Sequence, residues 1–233
     1  SAEGLAVTGT TVEPWTTLDK GNLTLEKAPL KINSTGKANG VYAVTATGEL
    51  IAYNDASVNS TCLGVALITD NQRFMISAAD ATDGSSSFLY WGENLVGLGV
   101  SGITDADDEN AAKADFKGKT NTAAIIAAYI EHSVAMIARD MCSVLQVFND
   151  GENNVGFSDW YIPAAGQLYE IYTNKTNINA ALTNIGHTAL VETEYWSSTE
   201  YGSYAAFCVD LIVSSISDDG KAAEYRVRFV RNI

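Results

Sequence analysis

Residues 195–207 bring aromatic rings and hydroxyl groups together within thirteen positions, "YWSSTEYGSYAAF". Tyrosine rings give a large contact area at low entropic cost, and serine hydroxyls form adaptable hydrogen bonds. This composition is typical of a surface that binds a ligand by stacking and polar contact. The candidate ligand-binding residues are Tyr195, Ser198, Glu200, Tyr201 and Tyr204, joined by Trp91 from the segment "FLYWGEN".

The same stretch must also supply part of the core. A strand alternates its faces, so we predict that Trp196 and Phe207 point into the sheet interior. Tyr201 and Tyr204 lie in the segment "YGSY", which reads as a loop between two strands. Loops on a rigid scaffold often carry binding residues, and these two tyrosines are the strongest candidates. The alternative, that both rings lie against their own domain, stays open at this point.

An acidic segment, "TDADDEN" at 104–110, has the alternating carboxylates of some calcium loops at Asp105, Asp107 and Glu109. It lacks the glycine at the sixth loop position and the distant bidentate glutamate. We therefore interpret it as a solvated acidic loop, and no metal is expected.

Residues for catalysis are scarce. The only histidines are His132 and His187, and the cysteines, Cys62, Cys142 and Cys208, form no CxxC pair. A zinc site and a nucleophile with its base are both disfavoured. We expect no enzyme and no cofactor, although a pair of glycosidase carboxylates cannot be recognised from sequence spacing. With three cysteines, at least one is free or pairs between molecules, and a Cys142–Cys208 pair is left open.

The elements that would position these residues follow from periodicity and turn signals. Two hairpins are predicted, one turning at Thr47-Gly48 and one at Asp70-Asn71. Residues 79–118 read as mostly loop. Three helices are predicted next: one from about Asn121 to Cys142, one with Pro163 in its first turn, and one from Thr176 to Gly186. The closing strands are "YWSSTEY", "AAFCVDLIV" and "EYRVRFVRNI".

This order of elements predicts an α+β fold. We interpret residues 1–39 as a leader or linker, with "LTLE" and "PLKI" as possible edge strands, and residues 40–233 as one domain. The small, polar start is consistent with an export signal that has been removed.

Charge and hydropathy exclude two classes of partner. The 233 residues include 28 acids against 14 lysines and arginines, a formal net charge of −14. Such a surface repels phosphate backbones and anionic lipid headgroups, so no nucleic-acid binding is expected. No apolar run reaches the roughly 20 residues that span a bilayer, so we expect no membrane insertion by this segment.

Three motifs in order resemble the Lcl-type C-terminal domain family of bacterial exported proteins. They are "GFSDWYIPAAGQLYEIY", "YWSSTEYGSYAAF" and "YRVRFVRN". The family has a C-type-lectin-like fold related to the formylglycine-generating-enzyme group. The resemblance implies a twisted antiparallel sheet with two main helices, in an exported module that holds a partner.

The sequence departs from this family in ways that limit what can be carried over. Phe229 stands where the family often has a cysteine that pairs with the one matching Cys142. The oxygen-rich strand of calcium-dependent lectins is absent, because Ser197 and Ser198 follow Trp196. The reactive cysteine pair of the formylglycine-generating enzymes cannot be placed here. Calcium-mediated sugar binding and that enzymatic activity are therefore not expected.

The sequence thus favours a non-catalytic, monomeric adhesion module of the bacterial surface or exterior, binding a protein or glycan through the aromatic loop. The first alternative is a structural subunit of a fimbrial or surface assembly. The second is a glycan-acting enzyme.

Overall fold

The computed structural model describes residue 32 and residues 34–151 and 157–233. The predicted strand "LTLE" lies outside the described residues, as does "PLKI" except for Ile32. Within these described residues, ten strands and five α-helices follow in chain order. The strands are β1 (Gly40–Val44), β2 (Leu50–Ala52), β3 (Gly64–Ile68), β4 (Arg73–Ile76), β5 (Leu89–Tyr90), β6 (Glu194–Tyr201), β7 (Ala205–Asp210), β8 (Ile216–Gly220), β9 (Glu224–Tyr225) and β10 (Val230–Asn232). The helices are α1 (Glu109–Lys113), α2 (Gly118–Glu131), α3 (Met141–Asp150), α4 (Ala165–Thr173) and α5 (Lys175–Asn184).

Both predicted hairpins are present. β1 pairs antiparallel with β2, and β3 pairs antiparallel with β4. Gly48 has φ 81°, a left-handed conformation that glycine adopts without a Cβ clash. β1 also pairs with β3, and β10 from the far end of the chain pairs with β4. The result is a five-stranded antiparallel sheet in the order β10-β4-β3-β1-β2.

This sheet is covered on both faces, which is why β3 is apolar at every position. Val65 and Leu67 belong to one buried cluster, and Ala66 and Ile68 belong to the other. The first cluster includes buried side chains of α4 and α5, and the second those of α2 and α3. A strand buried on both sides loses the alternation of polar and apolar residues.

A second sheet of three strands, β6-β7-β8, contains the aromatic and hydroxyl-rich segment 195–207. Its central strand also divides between the clusters, with Cys208 in one and Phe207 and Val209 in the other. Trp196 and Phe207 are buried, as predicted. A short third sheet joins β5 to β9.

The α+β prediction is confirmed, but three details of the elements were wrong. The resemblance implied two main helices, whereas four helices of nine residues or more occur in the described part of the chain. The predicted helix from Asn121 to Cys142 is shorter than expected: α2 ends at Glu131, Ser133 adopts φ 55°, and α3 begins only at Met141.

The final predicted strand is also divided. β9 joins the two-stranded sheet, whereas β10 joins the five-stranded sheet. Arg228 lies between them and is fully buried; its guanidinium is 3.0 Å from the Asp80 carboxylate and donates to the carbonyls of Ser77 and Thr188. Among the described residues, no helix is long and apolar enough to cross a bilayer.

Candidate functional site

Four of the six predicted ligand-binding residues are buried inside the domain and cannot touch a ligand at its surface. They are Trp91, Tyr195, Ser198 and Glu200. The prediction that these four residues contact a ligand at the surface is therefore wrong, and the reason is the same for all four. β6 runs between the two core clusters, so its side chains meet protein on both sides.

Most polar groups of these buried residues are hydrogen-bonded inside the protein, whereas the buried Ser198 hydroxyl has no hydrogen-bond partner among the described residues. The Tyr195 hydroxyl donates to the Asp80 carboxylate at 3.0 Å and accepts the Val191 N–H at 3.0 Å. The Trp91 indole N–H donates to the Ser197 carbonyl at 2.9 Å. Ser198 donates its backbone N–H to the Pro163 carbonyl. These bonds join loops and strands, so the hydroxyl-rich motif contributes to structure.

The remaining two residues, Tyr201 and Tyr204, are exposed, as predicted. They lie at the β6–β7 turn, with 40% and 68% of their surfaces accessible. The Tyr201 ring packs edge-on against Phe207, with centroids 5.4 Å apart. The Tyr204 ring lies over Gly97, where a Cβ added to the glycine would approach the ring to 3.3 Å. Exposed Val96 adjoins this glycine, and we call Val96, Tyr201 and Tyr204 the turn face.

A shallow hollow of about 270 Å³ lies beside the turn face, lined by Asp105, Ala106, Asp107, Tyr201 and Gly202. The Asp105 carboxylate accepts the Gly202 N–H at 2.7 Å, which ties the acidic loop to the turn. Asp108 caps α1 by accepting the Ala111 N–H. In the described part of the chain, no cluster of three or more carboxylate, histidine or cysteine ligands is arranged to hold a metal.

A buried ion pair lies beneath the turn face. Lys221 Nζ donates to Glu200 Oε1 at 2.5 Å and to the Leu98 carbonyl at 2.8 Å. The other Glu200 oxygen accepts the Val100 N–H at 3.2 Å. Lys221 Nζ also lies 4.9 Å from the centre of the Trp91 ring, within the range of a cation–π interaction.

Backbone bonds connect this pair directly to the turn. The Lys221 N–H donates to the Tyr204 carbonyl at 3.0 Å, and the Gly97 N–H donates to the Ser203 carbonyl at 3.0 Å. Glu200 donates its N–H to the Thr104 carbonyl and accepts the Ala106 N–H. The pair therefore fixes the turn, the 96–100 loop and the acidic loop relative to one another.

The cost of burying these two charges affects the pKa of both side chains. Burial raises the pKa of Glu200 even though Lys221 opposes the shift. Burial likewise lowers the pKa of Lys221 against the pull of Glu200. In both groups desolvation outweighs attraction, as expected for an ion pair that is taken out of water.

Sequence reasoning missed Val96, Gly97 and Lys221. Nothing in the local sequence marks Lys221 as buried, because it follows Asp219-Gly220, a dipeptide typical of an exposed turn. The glycines of "VGLGV" at 96–100 were the one available signal for a close approach of another group.

The histidines and cysteines are not part of the turn face. His132 Nε2 is 3.0 Å from the Gly99 carbonyl, and burial together with nearby Arg228 lowers the pKa of His187. All three cysteines are buried and unpaired, so the Cys142–Cys208 bond that was left open is absent. Burial raises the pKa of Cys208 to about 11, which disfavours its thiolate.

Comparison with protein-family models finds no match, and comparison with curated proteins finds none. Comparison with solved structures matches the crystal structure of a fimbrial protein from Bacteroides ovatus ATCC 8483, with a TM-score of 0.59 and 16% sequence identity. The match covers 83% of this chain and 48% of that one, so this chain spans about half the length of the fimbrial protein. At this identity the likeness concerns the fold alone.

Proposed function

We propose that this chain is a structural module of a surface-assembled, fimbria-like protein. The supporting observation is the similarity of fold to the Bacteroides ovatus fimbrial protein over most of the chain. Among the alternatives that the sequence offered, this similarity favours the fimbrial or surface subunit over the adhesion module. In this proposal the module acts outside the cell and has no catalytic role.

Two tests address this role. Light scattering after size exclusion, over a range of protein concentrations, should show association that grows with concentration. Antibodies to the folded chain should label intact, unpermeabilised cells of the source organism. A strictly monomeric protein that antibodies reach only after lysis would contradict the proposal.

A second candidate function is ligand binding at the turn face, without calcium. Exposure of both Tyr201 and Tyr204 on a braced turn favours it. A monomeric module of the Lcl type, with a C-type-lectin-like arrangement that holds a protein or glycan, belongs to this candidate. Replacing both tyrosines with alanine should weaken ligand binding and leave the fold intact. Unchanged binding by a well-folded double variant would remove the turn face from consideration.

A further inference from the structure

The turn face presents two exposed tyrosine side chains on a backbone that is held by hydrogen bonds. Within the described residues, neither the Tyr201 nor the Tyr204 hydroxyl makes a hydrogen bond. A buried charged pair is an expensive way to hold an exposed turn, and Glu200 and Lys221 hold this one. Binding surfaces gain affinity when their geometry is fixed before the partner arrives. The turn face thus offers exposed aromatic surface on a backbone whose geometry is already fixed.

Charge determines which partner fits. The hollow beside Tyr201 contains the Asp105 and Asp107 carboxylates, and none of its lining residues is positively charged. One Asp105 oxygen is engaged by Gly202, whereas the Asp107 carboxylate makes no hydrogen bond to any described residue. Exposed carboxylates beside a tyrosine ring match a guanidinium or ammonium group, which could gain both an ion pair and a cation–π contact.

We propose that the turn face and its hollow bind an arginine- or lysine-bearing segment of a partner protein. The cationic side chain enters the hollow between Tyr201 and the Asp105 and Asp107 carboxylates, and Tyr204 with Val96 covers the neighbouring residues of the segment. An acidic partner is repelled by the same carboxylates. The proposal rests on the second candidate function, because it names the partner of the turn face.

The test compares two matched peptides. One is an acetylated and amidated heptapeptide of alternating arginine and valine; the other has citrulline in place of arginine and so keeps the shape without the charge. By calorimetry, the arginine peptide should bind with a dissociation constant at least about tenfold lower than the citrulline peptide. Raising the salt concentration should reduce the ratio of the two dissociation constants, because salt screens exposed charges.

Because the whole protein is acidic, it attracts any basic peptide, and the variants must distinguish binding in the hollow from this general electrostatic attraction. Asp107→Asn and Tyr204→Ala should each raise the dissociation constant of the arginine peptide several-fold. Asp150→Asn removes the same charge from an exposed position at the end of α3, and Ile212→Ala removes an exposed apolar side chain from the β7–β8 turn. Both control variants should bind as the unchanged chain does. Circular dichroism spectra would confirm that all four variants are folded.

Equal binding of the two peptides, or equal effects of Asp107→Asn and Asp150→Asn, would overturn the inference. Cellohexaose serves as a saccharide arm of the experiment. If it binds in a Tyr204-dependent way while the arginine peptide does not, the turn face is still a ligand site and only the basic partner is wrong. If neither probe binds, both the basic partner and the second candidate function fall.

Discussion

At the level of single residues, one part of the motif "YWSSTEYGSY" is structural and another part is exposed, and composition alone does not distinguish the two parts. Its first six residues lie inside the domain, and its last four form an exposed turn. Alternation could not assign an outward face to β6, because protein covers both of its sides and its pairing with β7 is irregular between Trp196 and Glu200. The tyrosines of the turn were predictable, since a Gly-Ser loop between two strands is a local signal.

Lys221→Met should be strongly destabilising, because it leaves the Glu200 carboxylate buried without its cation. We expect a loss of about 3–5 kcal/mol in the free energy of unfolding, measured by urea denaturation. The double variant Lys221→Met/Glu200→Gln should recover much of this loss, since no charge is then stranded. Lys119→Met, at an exposed position on α2, serves as the control and should change stability by less than about 0.5 kcal/mol. A double variant as unstable as the single one would contradict this account.

His187 should make stability depend on pH in the mildly acidic range. Its pKa in the folded protein lies below 6.5 because of burial and the nearby Arg228 cation. In the window between the folded pKa and 6.5, the unfolded chain binds more protons than the folded one, so stability falls as the pH falls. His187→Gln should reduce this slope in urea titrations at several pH values. An unchanged slope would exclude His187 as its source.

At the level of elements, the hairpins were predictable and the ends of the longer elements were not. Asp70-Asn71 and Thr47-Gly48 are local turn signals between apolar runs, and the pairing partner lies nearby in sequence. No glycine or proline marks the end of α2, where Ser133 takes the left-handed conformation instead. The last strand divides because its two ends pair with strands of different sheets. Both pairing strands lie far away in the sequence, so a short window of sequence does not reveal the division.

Gly166 is the point where α4 approaches the segment after α1. A Cβ there would lie 2.5 Å from the carbonyl oxygens of Lys113 and Asp115, both of which belong to the backbone and cannot rotate away. Gly166→Ala should therefore lower the free energy of unfolding by about 1–3 kcal/mol. Gly220→Ala is the control, because open space surrounds that position. Equal melting temperatures for the two variants would show that the α1–α4 contact is looser than these distances indicate.

At the level of the whole molecule, the five-stranded sheet separates two cores and belongs to both. Neighbouring residues of β3 and β4 point into opposite clusters, so neither cluster can lose its packing while the sheet stays intact. The net charge of −14 limits nonspecific association of this unit.

Urea unfolding should therefore proceed in one cooperative transition. Tryptophan fluorescence reports on four residues, of which Trp91, Trp160 and Trp196 belong to the second cluster and Trp15 lies outside the described residues. Far-ultraviolet circular dichroism reports on all helices and strands. The two transitions should have the same midpoint. Midpoints that differ beyond experimental error would show that the two cores unfold separately.

The pairing of β10 with β4 has a consequence for how the protein is made. Until the end of the chain has been translated, β4 has no β10 to pair with, so one edge of this strand, which contains Phe74, Met75 and Ile76, is unpaired. An apolar edge of this kind invites pairing with other nascent polypeptides until residues 230–232 emerge. A chaperone or an export factor that shields this edge during synthesis would thus have a defined binding target on the growing chain.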